Sequence, residues 1–256
     1  MSSMTLDRAT LVTFVLRLAD DHLVLGHRLS EWCGHAPMLE EDLAMPNMAL
    51  DLIGQARALY AYAAEIEGKG RTEDDLAYLR REREYLNCLM VERPNGDFAH
   101  TMLRQLYFAA FMEPFWKAVA TSSDATLAGI AAKAVKEVAY HIRHAGEWVV
   151  RLGDGTADSR RRMEAAIASL APFVDEMFED DAVTAAVAEA GLAPQPSSLR
   201  PAFDRLIGPI FAEADLAFTT APYAQRGGRK GMHGEAMGFL LADLQYMQRT
   251  FPGATW

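Results

Sequence analysis

The segment EVAYHIRH, Glu137 to His144, places a carboxylate, a phenol and two imidazoles at helical spacing. Positions i, i+3, i+4 and i+7 share one helical face, so Glu137, Tyr140, His141 and His144 lie together. Leu127, Ala131, Ala134, Val138, Ala145, Trp148 and Leu152 continue along that side. Glu137 and His141 are therefore expected to point inward, where a carboxylate needs a partner or a ligand. The chemistry such groups suggest is a carboxylate-bridged pair of iron ions. A bundle builds that site from a Glu on each of two helices and a Glu-x-x-His on each of the other two.

The motif falls short of that pattern. Three residues after Glu137 stands Tyr140, and His141 comes one residue late, which swings its side chain about 100° around the axis. The second helix offers Asp51-Leu-Ile-Gly54: the carboxylate is one methylene short, and a glycine stands where an imidazole is needed. That helix contains no histidine. The third helix offers His100, Gln105 and Glu113, and the first has Glu31 and His35 near its end. The missing imidazoles favour a hydrogen-bonded network of Asp51, Glu137, Tyr140 and His141 in place of metal. The alternative is an atypical, mononuclear site on His141 and His144.

Two other stretches carry reactive groups. RLSEWCGH sets Cys33 near His35, but a thiol becomes a nucleophile only with a lowered pKa. QRGGRKGMHGE combines flexible glycines with Arg226, Arg229 and Lys230. Such a loop is a candidate cradle for phosphate or an acidic surface, or else a solvated connection. The methionines fall at helical spacing and read as core fillers. Nucleophile elbows, Walker loops and dinucleotide fingerprints are absent.

The bulk numbers narrow the classes. A net charge of −10, from 25 Lys+Arg against 35 Asp+Glu, argues against nucleic acid and anionic membranes as partners. Cys33 and Cys88 form no CxxC, which fits a reducing cytoplasm. The run LVTFVLRLADDH is interrupted by Arg17, Asp20 and Asp21, so it is expected to be neither a signal peptide nor a membrane span.

Apolar residues recur every three or four positions throughout, so the chain is expected to be all-α. Helices are expected over 6–32, from Pro46 to the stop at GKG, over 72–90, from Asp97 through a kink at Pro114, and from TSSD to Leu152. Two more are expected in RRRMEAAIASLAPFVDEMF and LRPAFDRLIGPIFAEADLAF, and a last one over 233–250. Four long helices with short connections suggest an antiparallel four-helix bundle with additional C-terminal helices, taken as one domain over 1–256.

With the helices placed, LVLGHRLSEWCGHAP, NMALDLIGQAR, VERPNGDFAHT, AVKEVAYHIRH and GMHGEAMGFLLADLQYMQRTFPG resemble, in order, the non-catalytic C subunits of the phenylacetyl-CoA epoxidases. The resemblance implies a ferritin-like fold and a cytoplasmic multicomponent monooxygenase forming a ring 1,2-epoxide from phenylacetyl-CoA. It implies a catalytic A-type partner holding the di-iron centre, and a reductase bringing NADPH, FAD and an iron–sulfur cluster. It implies no catalytic residue and no metal in this chain, with Asp51, Gly54, Glu137, Tyr140 and His141 as vestigial ligand positions. The partner is expected to dock on the first two long helices, with Leu50, Leu59 and Tyr60 in the contact. Rival expectations are a self-sufficient metal oxidase and a metal-free helical module that binds acyl-CoA.

Overall fold

The computed structural model describes residues 6–254. Among them there is no β-strand, so the all-α expectation holds. The chain divides into two compact units, one made of the residues up to Pro94 with those from Arg226 onward, the other of Asn95–Gln225.

In the first unit, α1 (Arg8–Ser30) starts where the Asp7 side chain accepts the backbone N–H of Thr10 at 3.1 Å. This satisfies one of the unpaired donors of the first turn. The connection 31–38 returns the chain into α2 (Leu39–Glu67), and the two helices pack along their lengths. Gly26 permits the close approach: a Cβ there would lie 2.9 Å from Ile53 Cγ1. Leu25 and Leu29 on α1 and Met45, Met48 and Leu59 on α2 are fully buried. α2 begins earlier than the expected Pro46, which lies inside the helix. Glu40, Glu41 and Asp42 occupy its first turn, where acids complement the helix dipole.

The expected helix over 72–90 is broken. α3 is only Glu73–Tyr78, followed by a 3₁₀ turn at Glu82–Glu84, an extended stretch, and the single turn α4 (Leu89–Glu92). The physical reason lies on α1. The carboxylates of Asp20 and Asp21 accept the backbone N–H groups of Leu86 and Cys88, each at 2.7 Å. Those amides are thereby drawn away from helical partners. This unit ends with α10 (Glu235–Thr250), two residues shorter than expected at its start.

In the second unit, α5 (Phe98–Val119) begins at the expected cap: Asp97 Oδ1 accepts from His100 N at 3.0 Å. α5 is apolar on nearly every side, and Pro114 does not end it. α6 (Ala125–Gly153) is capped by Asp124, which accepts from Leu127 N at 2.9 Å. Its buried residues Leu127, Ala131, Ala134, Val138, His141 and Ala145 follow the expected stripe. α7 (Ala157–Val174) packs on α5 and α6, and α9 (Arg200–Glu213) does the same. α8 (Ala182–Glu189) has no counterpart among the expected helices, although Asp181 caps it by accepting from Val183 N and Thr184 N.

Candidate functional site

On α6, Glu137 Oε1 lies 3.2 Å from Lys133 Nζ, one turn away on the same helix. Tyr140 reaches the surface, its ring between those of His141 and His144. His141 is buried, and its Nδ1 accepts from Gln105 Nε2 of α5 at 3.2 Å. The ring is thus engaged by a polar partner on α5.

The other carboxylates that could have completed a cluster behave alike. Glu113 pairs with Lys117 on α5, and Glu31 pairs with Arg28 at 2.8 Å. His100 is used locally by Asp97 at 3.1 Å, and His35 stacks on Trp32 beyond the end of α1. On α2, Asp51 and Gly54 lie one helical turn apart and half-buried, and Gly54 has no side chain to donate. Among the described residues, no group of three His, Cys, Asp or Glu side chains could hold a metal ion. The donors present do not fit a di-iron centre. Among the contacts of the expected polar residues on α6, His141 meets Gln105 and Glu137 meets Lys133.

The extensive polar centre lies elsewhere, within the first unit. Asp20 is fully buried in α1 and accepts from Tyr60 Oη at 2.5 Å, from Arg80 Nη1 at 3.1 Å and from Leu86 N. Arg80 Nη2 also donates to Asp20. Arg80 lies across the Tyr85 ring, 4.2 Å from its centroid, and donates to the carbonyl of Glu84 at 2.7 Å. Burial followed by the Asp20 charge pushes the Tyr60 phenol well above its usual value. Burial pushes Tyr85 up to about 12. Burial disfavours the charge on Arg80, but Asp20 outweighs it and raises the pKa. Both phenols therefore stay neutral and the guanidinium stays charged. Gln245 of α10 closes the cluster, donating to Tyr85 Oη at 2.8 Å and to the carbonyl of Arg80 at 2.9 Å.

None of these residues is expected from the sequence as part of a polar centre. The available signal is ADDH in the middle of α1. Two adjacent helical residues point about 100° apart, so paired aspartates inside an apolar helix demand two separate buried partners.

The basic loop also differs from expectation. Arg229 points inward, with Nη2 2.8 Å from Asp21 Oδ2 and Nη1 donating to the carbonyl of Leu86 at 3.1 Å. The glycines expected to be flexible are packed. A Cβ on Gly228 would meet the carbonyl oxygen of Asn87 at 2.2 Å, and one on Gly231 that of Arg83 at 2.2 Å. Arg226 and Lys230 remain exposed. Leu59 and Tyr60, expected at a docking surface, are core residues at 0% and 1% exposure, whereas Leu50 is 66% exposed.

The chain is 45% identical over 246 residues to the C subunit of the 1,2-phenylacetyl-CoA epoxidase of Escherichia coli (strain K12), covering 96% of this chain and 99% of that protein. Residues 2–256 match the family described as Phenylacetic acid catabolic protein. The all-helical build is the ferritin-like fold expected of it. With the match running from near one end of the sequence to the other, this chain belongs to the phenylacetic acid catabolic protein family.

Proposed function

We propose that this chain is the non-catalytic, supporting subunit of a cytoplasmic phenylacetyl-CoA epoxidase. It pairs with an A-type subunit that carries the di-iron centre, and that assembly receives electrons from NADPH through a reductase bearing FAD and an iron–sulfur cluster. The chain acts as one domain over 1–256 and contributes no catalytic residue and no cofactor of its own. The observation that carries this reading is the donor set. The chain is similar along its whole length to an epoxidase subunit, yet Gly54 and Tyr140 stand where imidazoles are needed and His141 is engaged by Gln105.

Support of this kind is mechanical. A packed bundle held against catalytic helices keeps their metal ligands in position. The α2 surface offers the apolar contact such a role requires, with Leu39, Leu43 and Leu50 at 71%, 61% and 66% exposure. A permanent hetero-complex is expected to bury about 2,000 Å² or more with an apolar centre. No helix among the described residues is long and apolar enough to cross a membrane. Arg226 and Lys230 lie exposed on the loop that Arg229 anchors, where a partner or a CoA phosphate would meet them.

The test is co-expression with and without the A-type subunit, scoring iron, solubility and epoxidation together. Iron and turnover should both require the A-type chain. About two iron atoms per chain in this subunit alone would overturn the proposal in favour of a self-sufficient oxidase. A thermal shift with acyl-CoA in the absence of any partner would instead identify a binding module.

A further inference from the structure

Glu92, at the end of α4, is fully buried and its carboxylate meets donors from four residues. Oε1 accepts from Gly234 N at 2.7 Å and from Arg93 Nη2 at 3.3 Å. Oε2 accepts from Asn87 Nδ2 at 3.0 Å and from the His233 ring at 2.7 Å. The Gly234 amide, the Asn87 side-chain amide and the Arg93 guanidinium are donors whatever the state of His233, so the Glu92 oxygens serve as acceptors here. Glu92 lies at the N-terminus of α10, where Gly234 is the capping residue and negative charge is favoured.

The His233 side chain has no exposed surface, and both of its ring nitrogens face acceptors. Nδ1 is 2.7 Å from Glu92 Oε2, and Nε2 is 2.9 Å from the carbonyl oxygen of Tyr85. A neutral imidazole can donate to one of these but must turn a lone pair toward the other. Only the imidazolium satisfies both. The surrounding charges are Glu92 and Arg93 from α4 and its end, Glu82 from the 3₁₀ turn, and Arg28 from α1. Arg28 donates to the backbone carbonyls of Glu92 and Ala236 and is itself paired with Glu31.

We propose that His233 is a proton-operated latch: as the imidazolium it fastens the start of α10 to α4 and the Tyr85 carbonyl, and on losing its proton it loosens the hold of this helix on its unit. The helix behind the latch covers its unit with Met237, Leu240, Leu241 and Leu244, and Gln245 still ties its later turns to Tyr85 and Arg80, so loosening opens that apolar face from its start. The direction of the switch follows from the partners. Burial works against the charge, but the hydrogen bond and the charge of Glu92 outweigh it and raise the His233 pKa above its ordinary value of 6.5. A group raised in the folded state contributes its stability in full below its unfolded pKa. It loses that contribution as pH rises through the folded one. The latch is closed in mild acid and opens toward alkaline pH.

Two measurements on the full chain test this. Nitrogen-15 NMR of the histidines reads the charge of His233 directly, and hydrogen exchange read by mass spectrometry follows the amides of 235–250. Between about pH 6 and about pH 9.5, after correction for intrinsic exchange, protection in 235–250 should fall roughly tenfold in step with His233 deprotonation. Peptides from α6 should not follow. His233→Gln, which carries one donor and one acceptor, should show the open level at every pH. Glu92→Gln should return the His233 titration to its ordinary range. A His233 ring that is neutral throughout, or 235–250 protection that ignores the loss of its proton, overturns the latch. If either variant fails to fold, the titration of the unaltered chain decides alone.

Discussion

Asp20 illustrates how a single residue can determine a local path. Its carboxylate holds a buried phenol, a buried guanidinium and a half-buried backbone amide. Asp20→Asn removes the counter-charge of Arg80 and should destabilise the chain by about 3–5 kcal/mol, the usual cost of leaving one member of a buried ion pair alone. Tyr60→Phe removes the hydrogen bond donated to Asp20 and the one accepted from Arg80 Nη2, and should cost about 1.5–3 kcal/mol. Urea denaturation of the two variants should rank them in that order; equal midpoints would contradict the geometry. At this scale the sequence is legible only in places. That EVAYHIRH and its neighbours carry too few imidazoles for a two-iron ligand set can be read from residue types alone. That Gln105 occupies His141 cannot, since the contact joins two helices whose rotation spacing does not determine. Asp20 and Asp21 stand out in the sequence only as interruptions of an apolar run.

Helices are legible where one periodic face and one cap determine them. α5 and α6 begin at Asp97 and Asp124 as expected, because a side chain accepting a nearby N–H is a local interaction. The stretch 79–88 defeats the same reasoning. Its sequence has helical character, but aspartates more than sixty residues earlier take its amides. The loop 226–232 departs from expectation for a related reason. Its glycines permit close approach to the chain at Asn87 and Arg83, and close approach is indistinguishable from flexibility until the neighbour is known. Gly228→Ala should therefore be destabilising, since its new Cβ would meet backbone rather than a movable side chain; a fall in thermal midpoint relative to Lys230→Ala checks this. On α2 the surface and core leucines separate cleanly. Leu43→Ser with Leu50→Ser should abolish co-purification with the A-type subunit at unchanged thermal stability. Leu59→Ala should cost about 2–5 kcal/mol of stability through a core cavity, measured by denaturation of the isolated chain.

For the molecule as a whole, the all-α class and its four long helices can be read from periodicity, while the division into two compact units cannot. No linker marks it, and the final helix belongs with the first residues of the chain. Purified chain exposed to ferrous iron should retain well under about one equivalent after desalting, measured by elemental analysis. His141→Ala should leave that value unchanged while lowering stability. The lysines that pair with Glu137 and Glu113 bear on redesign. Adding histidines alone would not build a cluster, because these two acids each already face a cation within their own helix. An engineered iron site here would have to remove positive charge and add imidazoles together, since an incoming metal ion would otherwise meet Lys133 and Lys117. A single substitution therefore does not carry these helices to a metal centre.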